Sequence, residues 1–142
     1  MAAIRTAHEA NCGAIAALCG QFGYSATSEQ VRERLGTLAG NSECTVVVAE
    51  EAGRVVGFMQ VSVHRMVESG AWAKIDGLVV DEGRRGRGIG ADMVGFARGW
   101  AVEKGMGRLR VRTNEKRARE HAFYEREGFS LVKSQRVYER GV

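Results

Sequence analysis

The chain has 142 residues, 44% hydrophobic and 27% charged, which is the balance of a folded domain and not of a disordered segment. That length suits one hydrophobic core, so we expect a single domain over residues 1–142. No apolar run approaches the roughly 20 residues that span a bilayer. The N-terminal residues also lack the basic-then-apolar layout of a signal peptide, so we expect a cytoplasmic protein with no membrane partner.

The chain is basic, with a formal net charge of +4 and an isoelectric point near 9.3. Such a charge predicts attraction to an anion without saying which one. Nucleic acid, an acidic membrane surface and a phosphorylated small molecule would all qualify. The positions of the arginines must therefore decide between them.

The cysteines and histidines predict neither a disulfide framework nor a metal site. They are Cys12, Cys19, Cys44, His8, His64 and His121. The cysteines are odd in number and form no C-x-x-C pair, which favours free thiols in a reducing compartment. The histidines lie far apart and show no H-E-x-x-H spacing, so we expect no metal.

The first third of the chain predicts one strand and two helices. A short strand at residues 4–6 precedes a pattern of apolar residues at helical spacing from about residue 8 to 22. Thr27 or Ser28 can accept the first free N–H groups of a second helix. Glycines supply the turns of this chain, which contains no proline.

The middle of the chain predicts a run of strands that ends at a long helix. The β-branched segments 44–50 and 55–63 flank a glycine turn and predict a hairpin, and a further strand follows at residues 71–80. Apolar residues then recur at helical spacing from residue 89 to 102, where Gly105 can end the helix.

The last third predicts a strand at residues 108–113, a helix at 117–127 and a final strand at 129–138. The whole order is β-α-α-β-β-β-α-β-α-β. This order predicts an α/β or α+β domain with helices packed on the faces of one sheet.

The most informative segment joins the buried strand at 71–80 to the long helix. Residues 84–90 of this segment contain three arginines and three glycines. They are Arg84, Arg85, Arg87, Gly86, Gly88 and Gly90, with Ile89 between the last two glycines. Glycines let the main chain approach a ligand closely. Free N–H groups at the start of a helix attract anions, so this segment is typical of a pyrophosphate site. A solvated basic turn is the alternative, but it needs fewer glycines and arginines.

A dinucleotide site is a second interpretation of this segment. Gly86-x-Gly88-x-x-Ala91 satisfies the G-x-G-x-x-G/A spacing, although that spacing alone is a weak signal. It normally opens the first βαβ unit, whereas several strands precede it here. The next strand also ends without an acidic residue for a ribose hydroxyl, and Glu115 lies beyond that strand.

Two stretches of the sequence resemble the GNAT superfamily of N-acetyltransferases. Arg85-x-x-Gly88-x-Gly90 matches the family signature Q/R-x-x-G-x-G/A and stands in the same place, between the fourth strand and the long helix. The run from Ala122 to Phe129 resembles the second conserved region, commonly A-x-x-x-Y-x-x-x-G-F. The resemblance implies a mixed, mostly antiparallel sheet of six to seven strands with about four helices. It also implies that the fourth and fifth strands splay apart.

The resemblance implies acetyl-CoA as co-substrate, with its pyrophosphate on main-chain N–H groups of the loop and its pantetheine along the fourth strand. The cofactor-binding residues implied are Leu78, Val79, Val80, Arg85, Gly86, Arg87, Gly88, Ile89, Gly90, Ala91, Asn114 and Arg117. Many relatives carry an asparagine where Arg117 stands, so the contacts there would differ.

The same resemblance suggests two catalytic residues. Tyr124 matches the tyrosine that many relatives use to protonate the departing thiolate, and the alternative is that it only packs against the sheet. Asp76 lies where relatives place a carboxylate base or a water relay. It could equally be a solvent-facing residue of the strand, with ordered water as the base.

The acceptor would be a small-molecule or peptide amine, attacking directly without a covalent enzyme intermediate. In relatives, the first two helices wall the acceptor cleft with the fourth and fifth strands, so the resemblance implies Phe22, Tyr24, Trp72 and Lys74 as candidate lining residues. The alternative is that each is an ordinary core or surface residue. Arg110 and Arg112 share one strand face and could hold an acceptor carboxylate, or simply face solvent. The sequence leaves a homodimer open.

Two other classes of protein remain open on the sequence alone. The basic residues of the 108–113 strand could bind nucleic acid, but no aromatic residues are interleaved with them, so we expect no nucleic-acid partner. A catalytically silent relative that binds acyl-CoA as a sensor is the other class. Retention of Tyr124 argues against it.

Overall fold

The computed structural model describes residues 2–142, which form two compact units. The first unit extends to Arg112 and contains one β-sheet and three α-helices. The second unit, Thr113–Val142, contains one α-helix.

The sheet of the first unit has five strands in the order β1-β2-β3-β4-β5. The strands are β1 Ala3–Thr6, β2 Cys44–Glu51, β3 Arg54–Met66, β4 Gly70–Val80 and β5 Leu109–Val111. The first four pair antiparallel with their neighbours, and β5 pairs parallel with β4. The expectation of a mixed, mostly antiparallel sheet is therefore confirmed.

Four α-helices complete the described chain, as the sequence predicts. They are α1 Cys12–Gln21, α2 Ser28–Leu38, α3 Ile89–Glu103 and α4 Ala118–Arg126. Short 3-10 turns precede α1 at Glu9–Asn11 and follow β4 at Glu82–Arg84.

Local chemistry fixes the ends of two of these helices. Thr27 caps α2, because its Oγ1 accepts from the N–H of Gln30 at 3.1 Å while Gln30 Oε1 accepts from the N–H of Thr27 at 3.0 Å. Helix α3 ends at Gly105, whose φ of 76° lies in the left-handed region that glycine adopts without strain.

Helices cover both faces of the sheet. On one face, Cys12 and Ile15 of α1 and Val31 of α2 pack with Val48 of β2 in a buried cluster. On the other face, α3 lies so close to β3 that a Cβ built on Gly57 would be 3.2 Å from Met93 Sδ. Side chains of a strand alternate between the faces, so each residue of β3 and β4 can be assigned to the α1–α2 face or the α3 face.

The predicted strand at 129–138 is wrong, and so is the expectation of six to seven strands. Among residues 2–142, no strand follows β5, and the residues after Phe129 are exposed. Leu131, Val132 and Tyr138 are 85%, 71% and 83% exposed. The β-branched composition that predicts a strand supplies no pairing partner, and a strand forms only where a neighbouring chain completes its hydrogen bonds.

Candidate active site

The glycine–arginine loop leads from β4 into α3 and leaves main-chain N–H groups free. Gly86 and Gly88 have φ values of 80° and 83°, and Gly88 is the residue that precedes the first turn of α3. No side chain caps that turn, so the N–H groups of Ile89, Gly90 and Ala91 have no side-chain acceptor. A Cβ built on Gly86 or Gly88 would meet no atom within 4 Å, so the space beside the loop is open.

The arginines of this loop differ in their partners. Arg84 forms an ion pair with Glu51 at the end of β2, and Arg87 Nη1 lies 3.9 Å from the same carboxylate. Arg85 is exposed and forms no ion pair with any residue from 2 to 142. Glu51 therefore anchors the loop while Arg85 offers an uncommitted charge. Sequence reasoning missed Glu51, because it lies more than thirty residues upstream and belongs to no motif.

Strand β4 has an open edge next to the loop. Its pairing with β5 ends at Ile75 and Val111, whereas its pairing with β3 continues to Val80. Leu78 and Val80 are half-buried and Val79 is buried. No described strand pairs with this last part of β4 on the β5 side, so main-chain groups there are free for a ligand.

The open edge begins at a β-bulge. On β3, Gln60 and Val61 are adjacent, but their partners on β4 are Gly77 and Ile75, which leaves Asp76 as the extra residue. The side chain of Asp76 is only 22% exposed although the residue as a whole is exposed, because the main chain bulges outward. The bulge thus marks the point where β4 and β5 separate.

Three side chains surround the carboxylate of Asp76. Ser62 Oγ donates to one oxygen at 2.5 Å, and His64 Nε2 lies 3.1 Å from Ser62 Oγ and 3.5 Å from the second Asp76 oxygen. Lys74 Nζ lies 3.6 Å from that second oxygen. Sequence reasoning found Asp76 but missed Ser62 and His64, because their position depends on the β3–β4 register, which pairs Ser62 with Lys74.

Lys74 is buried, with only 8% of its surface exposed. Burial lowers the pKa of Lys74, and the Arg112 guanidinium lowers it further, whereas Asp76 raises it. The lysine therefore sits between one carboxylate that stabilises its charge and one arginine that opposes it.

Trp72 lies two residues before Lys74 on the same face of β4. The Arg110 guanidinium lies 4.1 Å from its ring centre and that of Arg108 lies 5.3 Å away. The His64 ring is nearly parallel to the indole at 6.3 Å. Trp72 thus lies against two arginine side chains and against His64, which in turn contacts Ser62 and Asp76.

Phe22 and Tyr24 lie in the connection between α1 and α2, with ring centres 5.4 Å apart. Phe22 is half-buried and Tyr24 is 65% exposed. The preceding residue, Gln21, donates its Nε2 to Asp81 at 2.9 Å and accepts from the N–H of Glu82 with its Oε1 at 3.0 Å. This connection is therefore tied to the start of the glycine–arginine loop.

The second unit contains the remaining predicted residues. Tyr124 on α4 is buried, and its ring contacts those of Phe123 and Phe129. Burial raises the pKa of Tyr124 to about 12, and the Glu120 carboxylate adds to that rise. Within residues 113–142 its hydroxyl forms no hydrogen bond.

Asn114 and Arg117 lie at the start of α4 in the same unit. Asn114 Oδ1 accepts from the N–H of Lys116 at 3.0 Å, and its main-chain oxygen lies 2.9 Å from His121 Nε2. Arg117 Nη1 lies 3.5 Å from Glu120. The Asn114 contacts therefore stabilise the turn that begins α4, and Arg117 adds an ion pair within the first turn of that helix.

The other chemistries considered from the sequence find no support in the described residues. No group of three or more His, Cys, Asp or Glu side chains within residues 2–142 could hold a metal ion. No helix in the described chain is long and apolar enough to cross a membrane. The sheet has only one parallel pair, unlike a dinucleotide-binding fold.

Comparison with known protein families identifies the family of this chain. The profile of the Acetyltransferase (GNAT) family matches residues 4–129, which is most of the chain. The chain belongs to the GNAT acetyltransferase family. Among curated protein sequences, none matches this GNAT chain at a significant level.

Solved structures share the GNAT fold with this chain at low sequence identity. A transcriptional regulator from Bacillus halodurans C-125 is 21% identical with a TM-score of 0.89, covering 99% of this chain and 100% of its own. Glucosamine-6-phosphate N-acetyltransferase from Arabidopsis thaliana is 21% identical with a TM-score of 0.82, covering 98% of both chains. The aminoglycoside N-acetyltransferase AAC(6')-Iy, in complex with CoA, is 17% identical with a TM-score of 0.88, covering 99% of this chain and 95% of its own.

Proposed function

We propose that this GNAT protein transfers an acetyl group from acetyl-CoA to a primary amine of a small molecule or peptide. The observation that carries the proposal is the arrangement of β4. The bulge at Asp76 begins an open strand edge, and that edge leads directly to the uncapped start of α3. The carboxylate of Asp76 and the free main-chain groups thus follow one another along β4, and the anion site follows them at the start of α3.

The residues of the loop fit a pyrophosphate. Free N–H groups at the start of α3, two left-handed glycines and the uncommitted Arg85 favour negative charge there. The proposed cofactor contacts are Leu78, Val79, Val80, Arg85, Gly86, Arg87, Gly88, Ile89, Gly90, Ala91, Asn114 and Arg117. When bound, acetyl-CoA would supply the acetyl group as an activated thioester, and free N–H groups of β4 would stabilise charge on its carbonyl oxygen.

The Asp76 cluster would prepare the amine for attack. An amine arrives protonated at neutral pH, so a group at the reaction centre must remove a proton. Asp76 carries the carboxylate at the strand split, and Ser62 and His64 form a hydrogen-bonded path from it. We assign proton removal to Asp76 and proton relay to Ser62 and His64.

Tyr124 is the proposed acid for the departing thiolate, on the basis of its place in the family motif. Its raised pKa keeps the phenol protonated across the physiological range. A buried environment disfavours every anion, so a thiolate formed in a dry site is also a stronger base than in water. Burial therefore raises the proton affinity of the donor and of the acceptor together.

Replacement of Tyr124 by Phe tests this assignment. We expect Tyr124→Phe to lower kcat by about 100-fold, the lower end for lost acid–base catalysis, with CoA affinity within about twofold of the parent. Steady-state thiol release and calorimetry with CoA measure the two effects. Because the pKa of Tyr124 is about 12, any alkaline fall in rate below pH 10 should persist in the variant.

Tyr138→Phe is the matched control, because Tyr138 is 83% exposed and belongs to no motif. It should leave kcat unchanged. An undiminished rate in Tyr124→Phe would remove Tyr124 from the mechanism. An equal fall of kcat in both variants would mean that the loss of any tyrosine hydroxyl lowers the rate, and that the effect is not specific to Tyr124.

Ligand-induced stabilisation tests the cofactor assignment directly. Acetyl-CoA should raise the melting temperature, because a ligand that binds only the folded state stabilises it by about 2.7 kcal/mol at 100 times its Kd. Nicotinamide dinucleotides at the same concentration should not. The opposite pattern in a thermal melt would refute the assignment of the loop to CoA.

A catalytically silent acyl-CoA sensor is the second candidate, and one structural neighbour is described as a transcriptional regulator. Such a protein would bind acetyl-CoA and release no thiol with any amine. The Asp76 cluster and Tyr124 favour chemistry, because a sensor needs neither. A thiol-release assay across amino acids, polyamines, aminoglycosides and peptide N-termini separates the two candidates.

A further inference from the structure

The α1–α2 face of the sheet carries a group of cations next to Asp76. Lys74, Arg110 and Arg112 form this basic cluster: Lys74 lies 3.6 Å from Asp76, Arg110 is the strand partner of Lys74, and Arg112 lowers the pKa of Lys74. Lys74 and Arg110 are partners in the parallel β4–β5 register, so their side chains leave the sheet on the same side. Arg112 lies two residues beyond Arg110, on that same face.

The charge of the basic cluster is not balanced within the described chain. Asp76 already has Ser62, His64 and Lys74 around it. Arg110 contacts the ring of Trp72. Neither Arg110 nor Arg112 forms an ion pair with residues 2–142. By contrast, Arg108 donates to the main-chain oxygens of Ser69 and Ala71 at 2.7 and 3.3 Å and is therefore structurally engaged.

Maintaining this excess of positive charge is unfavourable in the absence of a ligand. Lys74 is buried, and Arg112 lowers its pKa in opposition to Asp76. Trp72 holds the Arg110 guanidinium at 4.1 Å, which orders a long side chain that would otherwise be mobile. Guanidinium groups without an ion-pair partner are suited to bind a carboxylate or phosphate.

The basic cluster lies too far from the loop to serve the cofactor pyrophosphate. Lys74 precedes Val80 by six residues, which corresponds to about 20 Å along a strand. It lies beside Asp76 instead, at the point where β4 and β5 separate. An anion bound here would therefore belong to the acceptor.

We propose that the acceptor is a small amine that carries an oxyanion, either carboxylate or phosphate, and that Arg110 and Arg112 bind this oxyanion while the amine lies at Asp76. This proposal rests on the proposed function and specifies its substrate class. Lys74 is the strand partner of Arg110 and has its Nζ 3.6 Å from Asp76, so the amine and the oxyanion would bind close together. A polycation such as a polyamine or an aminoglycoside would be repelled by the same cluster.

Matched pairs of acceptors test the proposal. 4-Aminobutyrate is compared with 4-aminobutanamide, and 3-aminopropyl phosphate with 3-aminopropanol, so that each pair differs only in the oxyanion. We expect kcat/KM for thiol release to be about 10- to 100-fold higher for the charged member, as for hydrogen bonds to charged groups. The better pair identifies carboxylate or phosphate as the preferred oxyanion.

Arginine variants connect that preference to the cluster. Arg112→Gln, at an exposed position where folding is not at risk, should lower kcat/KM for the charged member about tenfold relative to the neutral member. Arg110→Gln should act in the same direction. Arg98→Gln is the control, because Arg98 is an exposed arginine on α3, across the sheet. Equal rates for both members of each pair, preference for a polyamine, or a preference that survives both variants would overturn the proposal.

A binding measurement separates this proposal from acetyl transfer itself. Calorimetry with each amine, in the presence of CoA, should show tighter binding of the charged member that is lost in Arg112→Gln. Such binding without any thiol release would refute acetyl transfer and support the anion site. Thiol release without oxyanion preference would support acetyl transfer and refute the anion site. Absence of both thiol release and tighter binding of the charged member would also refute the anion site.

Discussion

Gly88→Glu should abolish measurable CoA binding while the protein remains folded. Gly88 has a φ of 83° at the start of α3, beside N–H groups that no side chain caps. A glutamate there would bring a carboxylate to the place where the pyrophosphate is proposed to bind, and its own charge would compete for the same N–H groups. We expect the Kd for CoA to rise more than 100-fold, on the order of 3 kcal/mol.

The difficulty with this variant is backbone strain, because a residue with a Cβ in the left-handed region costs about 1 to 2 kcal/mol. Gly105→Glu is the matched control. Gly105 has a φ of 76°, lies at the other end of the same helix and has no atom within 4 Å of a built Cβ, just as Gly88 does.

Both variants should lower the melting temperature by a similar amount, whereas only Gly88→Glu should lose CoA binding in calorimetry. Unchanged affinity in Gly88→Glu would mean that the cofactor binds elsewhere. Equal losses in both variants would mean that strain and not charge is responsible.

Asp76→Asn should lower kcat by about 100-fold or more without weakening CoA binding, because the amide cannot take up a proton. Thiol release measures the loss of kcat, and calorimetry with CoA measures whether cofactor binding is kept.

Loss of the carboxylate also affects Lys74, and this structural effect must be separated from catalysis. Asp76 raises the pKa of Lys74 against the effect of burial, so Asp76→Asn should lower that pKa and leave a buried charge without its partner. The double variant Asp76→Asn with Lys74→Met removes that charge. It should recover stability in thermal melts but not activity.

Variants of the proposed relay residues, Ser62 and His64, also test the assignment of Asp76 as the base. His64→Gln and Ser62→Ala should each lower kcat by less than Asp76→Asn, because the carboxylate at the strand split remains. A larger loss in His64→Gln than in Asp76→Asn would transfer the role of base to His64. Full activity in Asp76→Asn would remove Asp76 from the mechanism.

Features that depend on a few neighbouring residues could be predicted from the sequence. The capping of α2 by Thr27 and the end of α3 at Gly105 follow from side-chain and glycine chemistry within one helical turn. The anion-binding character of the loop at Gly86 and Gly88 is local for the same reason. The family motif at Arg85-x-x-Gly88-x-Gly90 could be found because those residues are contiguous.

The cluster around Asp76 could not be predicted, because it depends on pairing between residues that are distant in sequence. Ser62 approaches Lys74 through the β3–β4 register, and a single extra residue in β4 determines which side chains share a face. The free guanidinium of Arg112 likewise depends on where β5 stops pairing with β4. No pattern among neighbouring residues of the sequence predicts the β3–β4 register or the end of the β4–β5 pairing.

The sequence by itself determined where α2 begins, that a glycine follows the end of α3, that a basic glycine loop leads into α3, and which family the motifs resemble. Only the tertiary structure decided that Asp76 lies at the bulge with a basic cluster beside it, and that residues 129–138 form no strand. The physical reason is the same in both cases. Helix caps and glycine turns satisfy their hydrogen bonds locally, whereas strands and side-chain clusters require partners that only the folded chain brings together.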